Sequence, residues 1–253
     1  MANYLITGTS RGLGLELASA LLTRPPNEVR WVGLAARSKT PALQKLLENN
    51  STRAHFIALE VTSPESVKAA VEEVEKVLGP SLGLDVLINN AGIMPFNPQG
   101  ITKATDLMQN LEVNVNSIQL VTAGFLPLLR RGQKKLVFNI GSILGSIAHA
   151  PKFAGFPVST YKVSKAAVNA LTVQWSLELE KEGFTVISAH PGWLRTELGS
   201  DQADLAPEVG AKGILDIADQ ISREDTGKFF DIHVPGWKVG PSSNTYEGGV
   251  LPW

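Results

Sequence analysis

Tyr161 and Lys165 stand four residues apart within Thr160–Glu182, a stretch with helical periodicity, so the two side chains share a helix face one turn apart. A phenol ionises near about pH 10 and is a poor base at neutrality. An ammonium beside it favours the phenolate and lowers that value. A tyrosine tuned in this way can give a proton to a reacting oxygen or take one from it. Ser142 closes the run Asn139-Ile140-Gly141-Ser142 at the end of a strand-like segment. Its hydroxyl can donate to a carbonyl oxygen as charge builds there, or it is an ordinary Gly-Ser turn. Y-x-x-x-K alone is unspecific, so its meaning depends on what surrounds it.

The run Thr7-Gly8-Thr9-Ser10-Arg11-Gly12-Leu13-Gly14 lies between the first strand-like segment and the first helical one. Glycines there let the backbone turn tightly and approach a pyrophosphate, whose charge faces a helix N-terminus. The spacing is G-x-x-x-G-x-G, which is also compatible with a plain strand-to-helix turn. At the end of the second strand-like run, an acid would accept hydrogen bonds from adenosine ribose hydroxyls and repel a 2′-phosphate. The chain has Ala35-Ala36-Arg37-Ser38-Lys39 instead. Arg37 can clamp a phosphate with its planar fork, and Arg11 can reach the same group; both also read as solvated surface arginines. The missing acid favours NADP(H) over NAD(H).

These residues need a scaffold that brings them together. Strand-like runs at Tyr4–Ile6, Val29–Ala35, Phe56–Leu59, Val86–Asn89, Leu136–Ile140, Val186–His190 and Lys228–Phe230 are mostly continuously apolar, as in strands buried on both faces. Between them lie helical patterns at Leu13–Leu22, Ala42–Glu48, Pro64–Leu78, Ala104–Leu129, Thr160–Glu182 and Pro207–Ile221. Ser63-Pro64 reads as an N-cap followed by a first helical position. The alternation predicts a single α/β domain over residues 1–253, with a parallel sheet of about seven strands and helices on both faces. Open α/β sheets bind ligands outside the carboxyl ends of their strands. The glycine run, Asn89-Asn90-Ala91-Gly92 and Ser142 all fall at such ends. The Gly/Pro/Ser-rich tail from Val234 to Trp253 reads as a surface segment or lid edge, with Leu251-Pro252-Trp253 apolar enough to pack.

Composition narrows the alternatives. The 253 residues are 43% hydrophobic and 19% charged, with net charge −1, which suits a folded core and gives no basic surplus for nucleic acid or an anionic membrane. No cysteine is present, so thiol nucleophiles and zinc-thiolate sites are excluded, and a reducing, cytoplasmic setting is expected. Met1–Ile6 lacks a basic n-region, so no signal peptide is expected. No apolar run reaches the about 18 residues of a membrane span. His55, His149, His190 and His233 are scattered without metal-ligand spacing, and His190 is expected to be a satisfied core residue.

Together these motifs resemble the short-chain dehydrogenase/reductase family over Thr7 to about Phe230, with most similarity to sniffer-type and C-factor-like carbonyl reductases. That likeness is carried by Ile143-Leu144-Gly145-Ser146-Ile147, the long insert before Tyr161, His190-Pro191-Gly192-Trp193 and the Pro252-Trp253 ending. The resemblance implies that Tyr161 is the general acid in reduction and that Lys165 lowers its pKa and holds the nicotinamide ribose. It implies that Ser142 polarises the substrate carbonyl and that Asn114 positions a water in a proton relay; Asn116 is the lesser candidate. Gly8, Ser10, Arg11, Gly12, Leu13, Gly14, Arg37, Asn90, Ala91 and Gly92 would line the cofactor site, and Pro191, Gly192 and Thr196 would hold the carboxamide end. Where the family has Asp-Val after the third strand, with the acid contacting adenine, this chain has Glu60-Val61, and the resemblance implies that these two take that place in the cofactor site. Trp193 either covers the cofactor or substrate or fills core. Phe153, Phe156, Trp193 and Leu194 are expected to border an apolar pocket. A homodimer or homotetramer and a small carbonyl or alcohol substrate follow from the resemblance. The rival from another class is a non-catalytic NADP(H)-binding redox sensor.

Overall fold

A computed structural model describes residues 1–239 and 242–253. The strands are β1 (Ala2–Thr7), β2 (Val29–Ala36), β3 (Ala54–Ala58), β4 (Val86–Asn89), β5 (Leu136–Ile140), β6 (Thr185–His190), β7 (Phe229–His233) and β8 (Glu247–Val250). They form one sheet in the order β3-β2-β1-β4-β5-β6-β7-β8. The first seven are parallel. The strand order reverses between β1 and β4, the switch point where open sheets of this kind leave a crevice.

The helices are α1 (Gly12–Thr23), α2 (Pro41–Asn49), α3 (Pro64–Leu78), α4 (Leu107–Leu111), α5 (Ser117–Arg131), α6 (Ser159–Leu179) and α7 (Pro207–Gln220). Successive strand residues point to opposite faces, and the apolar runs therefore feed two cores. Ile6, Leu34, Ile88, Phe138 and Ile187 pack with Leu17, Leu21, Ile214 and Leu215 of α1 and α7. Leu5, Leu87, Val137 and Val186 pack with Val67, Val74, Phe125 and Leu179 of α3, α5 and α6. The predicted cap of α3 is present: Ser63 Oγ accepts the Ser66 N–H at 3.1 Å ahead of Pro64.

Three elements differ from the sequence reading. An eighth strand, β8, pairs antiparallel to β7 through Phe230↔Val250 and Asp231↔Gly249. Its sequence Glu-Gly-Gly-Val has no apolar alternation, and Gly248 and Gly249 sit at φ 79° and 84°; neighbouring β7, not intrinsic strand preference, makes it a strand. The helix expected over Ala104–Leu129 starts instead at Leu107 and opens into a wide π-type turn at Glu112–Asn116 before α5. Periodicity cannot show a one-residue expansion of this kind, which is frequent at functional sites. Likewise α6 ends at Leu179, and Glu180–Glu182 tightens into a 3₁₀ turn closed by Gly183 in the left-handed region.

Candidate active site

The glycine run closes the crevice from one side. Gly8 and Gly12 adopt φ 72° and 56°, conformations that cost glycine least. A Cβ at Gly14 would stand 2.3 Å from the Gly8 carbonyl oxygen, so only glycine lets α1 descend onto the turn. Asn90, just after β4, donates its side-chain amide to the Thr7 and Gly8 carbonyls at 2.8 and 3.2 Å. Thr7 Oγ1 accepts from the backbone N–H of Asn90 and Ala91. Thr40 Oγ1 donates to the Ser10 carbonyl at 2.6 Å, and Leu13 packs on the core. The N-terminus of α1 carries neither a side-chain cap nor an acid in its first turn. Its free N–H groups and positive dipole end face the loop, as an anionic diphosphate requires.

Arg37 and Arg11 flank this loop and are largely exposed. Arg37 lies 3.7 Å from Glu60, and Arg11 3.0 Å from Glu197. Exposed pairs of this kind contribute little, so both guanidiniums remain free to turn to a phosphate. Glu60 is held by Thr62, whose hydroxyl donates to it at 3.0 Å, and Val61 is buried. Thr196 approaches the loop from across the crevice, with Cγ2 3.3 Å from where a Gly12 Cβ would sit. It follows Pro191 and Gly192, the latter at φ 89°.

Tyr161 and Ser142 meet in one place. Both are buried, and the Ser142 hydroxyl is near enough to act on the phenol. Burial pushes the Tyr161 phenol up to about 12, with only the Ser142 hydrogen bond pulling it back. This reverses the expectation that the lysine would lower it. The Lys165 ammonium lies 5.7 Å from the tyrosine ring centroid and donates to the Ile140 carbonyl at 2.6 Å. It is buried too, and desolvation pulls it down to about 8. Two low-dielectric environments thus hold the phenol protonated and the amine near its titration point.

Asn114 sits in the wide turn and is 1% exposed. Its Oδ1 accepts the Ile93 N–H at 2.8 Å, and its Nδ2 donates to the Ile93 carbonyl and to Ser164 Oγ, each at 2.9 Å. Ser164 in turn donates to the Tyr161 carbonyl at 2.8 Å. Asn114 therefore ties the segment after β4 to the helix that carries Tyr161. Gly92 brings the chain close, its Cβ position lying 3.1 Å from Asn114 Oδ1. Asn116 points away and donates to Glu112 at the surface.

Other expectations shift. Leu194 and Phe153 are buried at 6% and 3% exposure, Leu194 within the core, whereas Phe156 and Trp193 are half-buried and meet edge-on at 5.5 Å. Trp193 is only half-buried, and its indole N–H donates to the Gly199 carbonyl at 2.6 Å. His190 is buried in β6, but both ring nitrogens lack a partner, so it is not the satisfied core residue expected. Its burial pulls it down to about 3, which keeps it neutral. The sequence reading missed Asn97, whose Oδ1 accepts from Thr160 N–H at 3.1 Å and Oγ1 at 2.9 Å, as a cap for the helix carrying Tyr161. Nothing local marks it, because the two residues lie 63 apart in the chain.

The sequence profile described as short chain dehydrogenase matches residues 2–205. The chain belongs to the short-chain dehydrogenase family. It is 32% identical to an uncharacterised oxidoreductase of Schizosaccharomyces pombe, over 99% of this chain and 97% of that one. Among solved structures it is similar to the NADPH-bound carbonyl reductase from chicken fatty liver, with TM-score 0.86, 30% identity and coverage of 100% and 94%. It is similar to the same degree to the carbonyl reductase Sniffer of Drosophila melanogaster, with TM-score 0.86, 29% identity and full coverage of both chains.

Proposed function

We propose that the chain is an NADP(H)-dependent carbonyl reductase acting on an apolar or aromatic ketone or aldehyde. The observation that carries this is the shared burial of Tyr161, Ser142 and Lys165 at the carboxyl edge of the sheet. Bound NADPH supplies the hydride. The α1 N-terminus, Arg37 and Arg11 hold its phosphates, and Pro191, Gly192 and Thr196 hold its carboxamide end. Ser142 donates to the carbonyl oxygen and stabilises the charge that develops there. Tyr161, protonated throughout the neutral range, delivers its proton to the same oxygen. Lys165 restores charge balance behind the phenol and binds the ribose.

The substrate preference rests on the half-buried Phe156 and Trp193 and on exposed Phe96, whose neighbour Asn97 donates its N–H to the Pro157 carbonyl of the insert. On this reading residues 1–253 act as one unit, and the 232–253 tail, of which 240 and 241 lie outside the described residues, borders the pocket through its described part. A cytoplasmic homodimer is the working state. The test follows NADPH oxidation by absorbance with a panel of aliphatic and aromatic aldehydes and ketones. Turnover of apolar carbonyls is expected. Tight NADPH binding with no carbonyl consumed would instead establish the non-catalytic redox sensor.

A further inference from the structure

Behind the cofactor loop lies a buried polar knot that the chemistry above does not use. Its centre is the Tyr246 hydroxyl, at 1% exposure for the residue. A phenol has one proton to give and two lone pairs to fill, and all three are engaged. The hydroxyl donates to Asp204 Oδ2 at 2.6 Å and accepts from the Trp193 N–H and from Asn244 Nδ2, each at 3.0 Å. Asp204 also accepts from Asn244 Nδ2 at 3.0 Å and from the Ser242 hydroxyl. Burial and the adjacent Asp204 carboxylate push the Tyr246 phenol up, so it remains a donor.

The knot joins two segments distant in sequence: the loop from Pro191 to Leu205 and the tail from Ser242 to Tyr246. The loop folds back on itself through Leu205 N–H to the Trp193 carbonyl at 3.0 Å and Arg195 N–H to the Leu205 carbonyl at 2.8 Å. Tyr246 therefore grips the loop at the residue next to Gly192, whose Cβ position lies 3.4 Å from the Tyr246 ring. Trp193 passes the constraint outward. Its backbone is held by Tyr246, its indole N–H by Gly199, and its ring meets Phe156 of the insert at a near right angle, while Phe156 packs edge-on to Phe153 at 6.1 Å. The tail, the loop and the insert thus meet at one indole.

We propose that Tyr246, anchored by Asp204, is a positioning residue that fixes the Pro191–Leu205 loop and, through Trp193, the wall of the substrate pocket. This rests on the oxidoreductase reading of the site. Ser142 follows β5 and Tyr161 and Lys165 stand on α6, and among the described residues no hydrogen bond of the knot reaches any of the three. Loosening it should lower the fraction of molecules competent to bind, which raises apparent binding constants and spares the chemical step.

Tyr246→Phe keeps the ring against Trp237 and His190 and removes only the hydroxyl. The Trp193 amide, followed by hydrogen exchange in the 192–205 peptide, is expected to exchange about tenfold faster. KM for the carbonyl should rise about ten- to a hundredfold, as for loss of a buried bond to a charged group, with kcat within about twofold. The NADPH Kd, read by coenzyme fluorescence, should rise at least about threefold. Unchanged exchange, or faster exchange with KM and Kd unchanged, would overturn the proposal, as would a fall in kcat alone. Should Tyr246→Phe fail to fold, Asp204→Asn, which keeps the shape and removes the charge, is expected to show the same split and is judged by the same outcomes. Should the wild type turn over no carbonyl, the oxidoreductase reading falls, and the exchange rate and NADPH Kd still decide the role of Tyr246.

Discussion

Tyr161 and Lys165 are displaced in opposite directions by one cause, loss of water. The phenol, pushed up to about 12, is a proton donor at every physiological pH, and the ammonium, pulled down to about 8, is the group that titrates. Reduction uses the protonated forms of both. The pH profile of kcat/KM for carbonyl reduction should therefore be flat below about pH 7 and fall roughly tenfold per unit above the Lys165 value near 8. A profile flat to pH 10 would mean that the lysine charge is not needed. Arg37 is 77% exposed, with Glu60 as a weak partner. Removing it as Arg37→Ala costs one charge-assisted contact to a 2′-phosphate, so the NADPH KM should rise roughly 10- to 100-fold while that for NADH stays within about twofold. Equal loss for both coenzymes would remove the basis for NADP(H) preference.

The strand-turn-helix unit of β1, the glycine run and α1 depends on close backbone approach. At Gly14 the obstruction to a side chain is the Gly8 carbonyl and the Asn90 amide, at 2.3 and 2.5 Å, and a backbone carbonyl cannot step aside as a flexible side chain can. Gly14→Ala should destabilise the fold by about 1–3 kcal/mol, which corresponds to roughly 2–4 °C of Tm per kcal/mol, and should weaken NADPH binding. An unchanged Tm and Kd would show that the turn has slack. The wide turn at Glu112–Asn116 is the other element of consequence. It aims Asn114 inward at Ile93 and Ser164 while Asn116, two residues on, stays at the surface.

At the scale of the molecule, the seven parallel strands were legible because most are continuous apolar runs flanked by turn residues, whereas their order in the sheet was not read from the sequence. Tyr161, Lys165 and Ser142 were legible because their positions follow directly from those elements. What stayed hidden depends on contacts between distant segments. β8 exists only against β7, and Asn97 caps a helix from across the fold. The Lys165 effect on Tyr161 is decided by burial, which four-residue spacing cannot report. Tyr246 looks like one aromatic in a polar tail until Asp204 is seen beside it. Met108, 74% exposed, lines a groove of about 290 Å³ with Leu111, Val115 and Leu171, and α6 carries exposed Val163 and Leu177 at 45 and 62%. Exposed apolar patches commonly mark interfaces. Sedimentation equilibrium should give a dimer that Met108→Glu dissociates; a monomer at all concentrations would contradict this.

The most direct measurement compares wild type with Tyr161→Phe in a single turnover, following the loss of NADPH absorbance on mixing with an accepted carbonyl. The phenylalanine variant should bind NADPH with a Kd within about twofold of wild type yet transfer hydride roughly 10²–10⁴-fold more slowly, the range a positioned general acid supplies. A variant that transfers hydride at the wild-type rate would show that Tyr161 is not the proton donor and that the buried Tyr161–Ser142–Lys165 group is not the reaction centre.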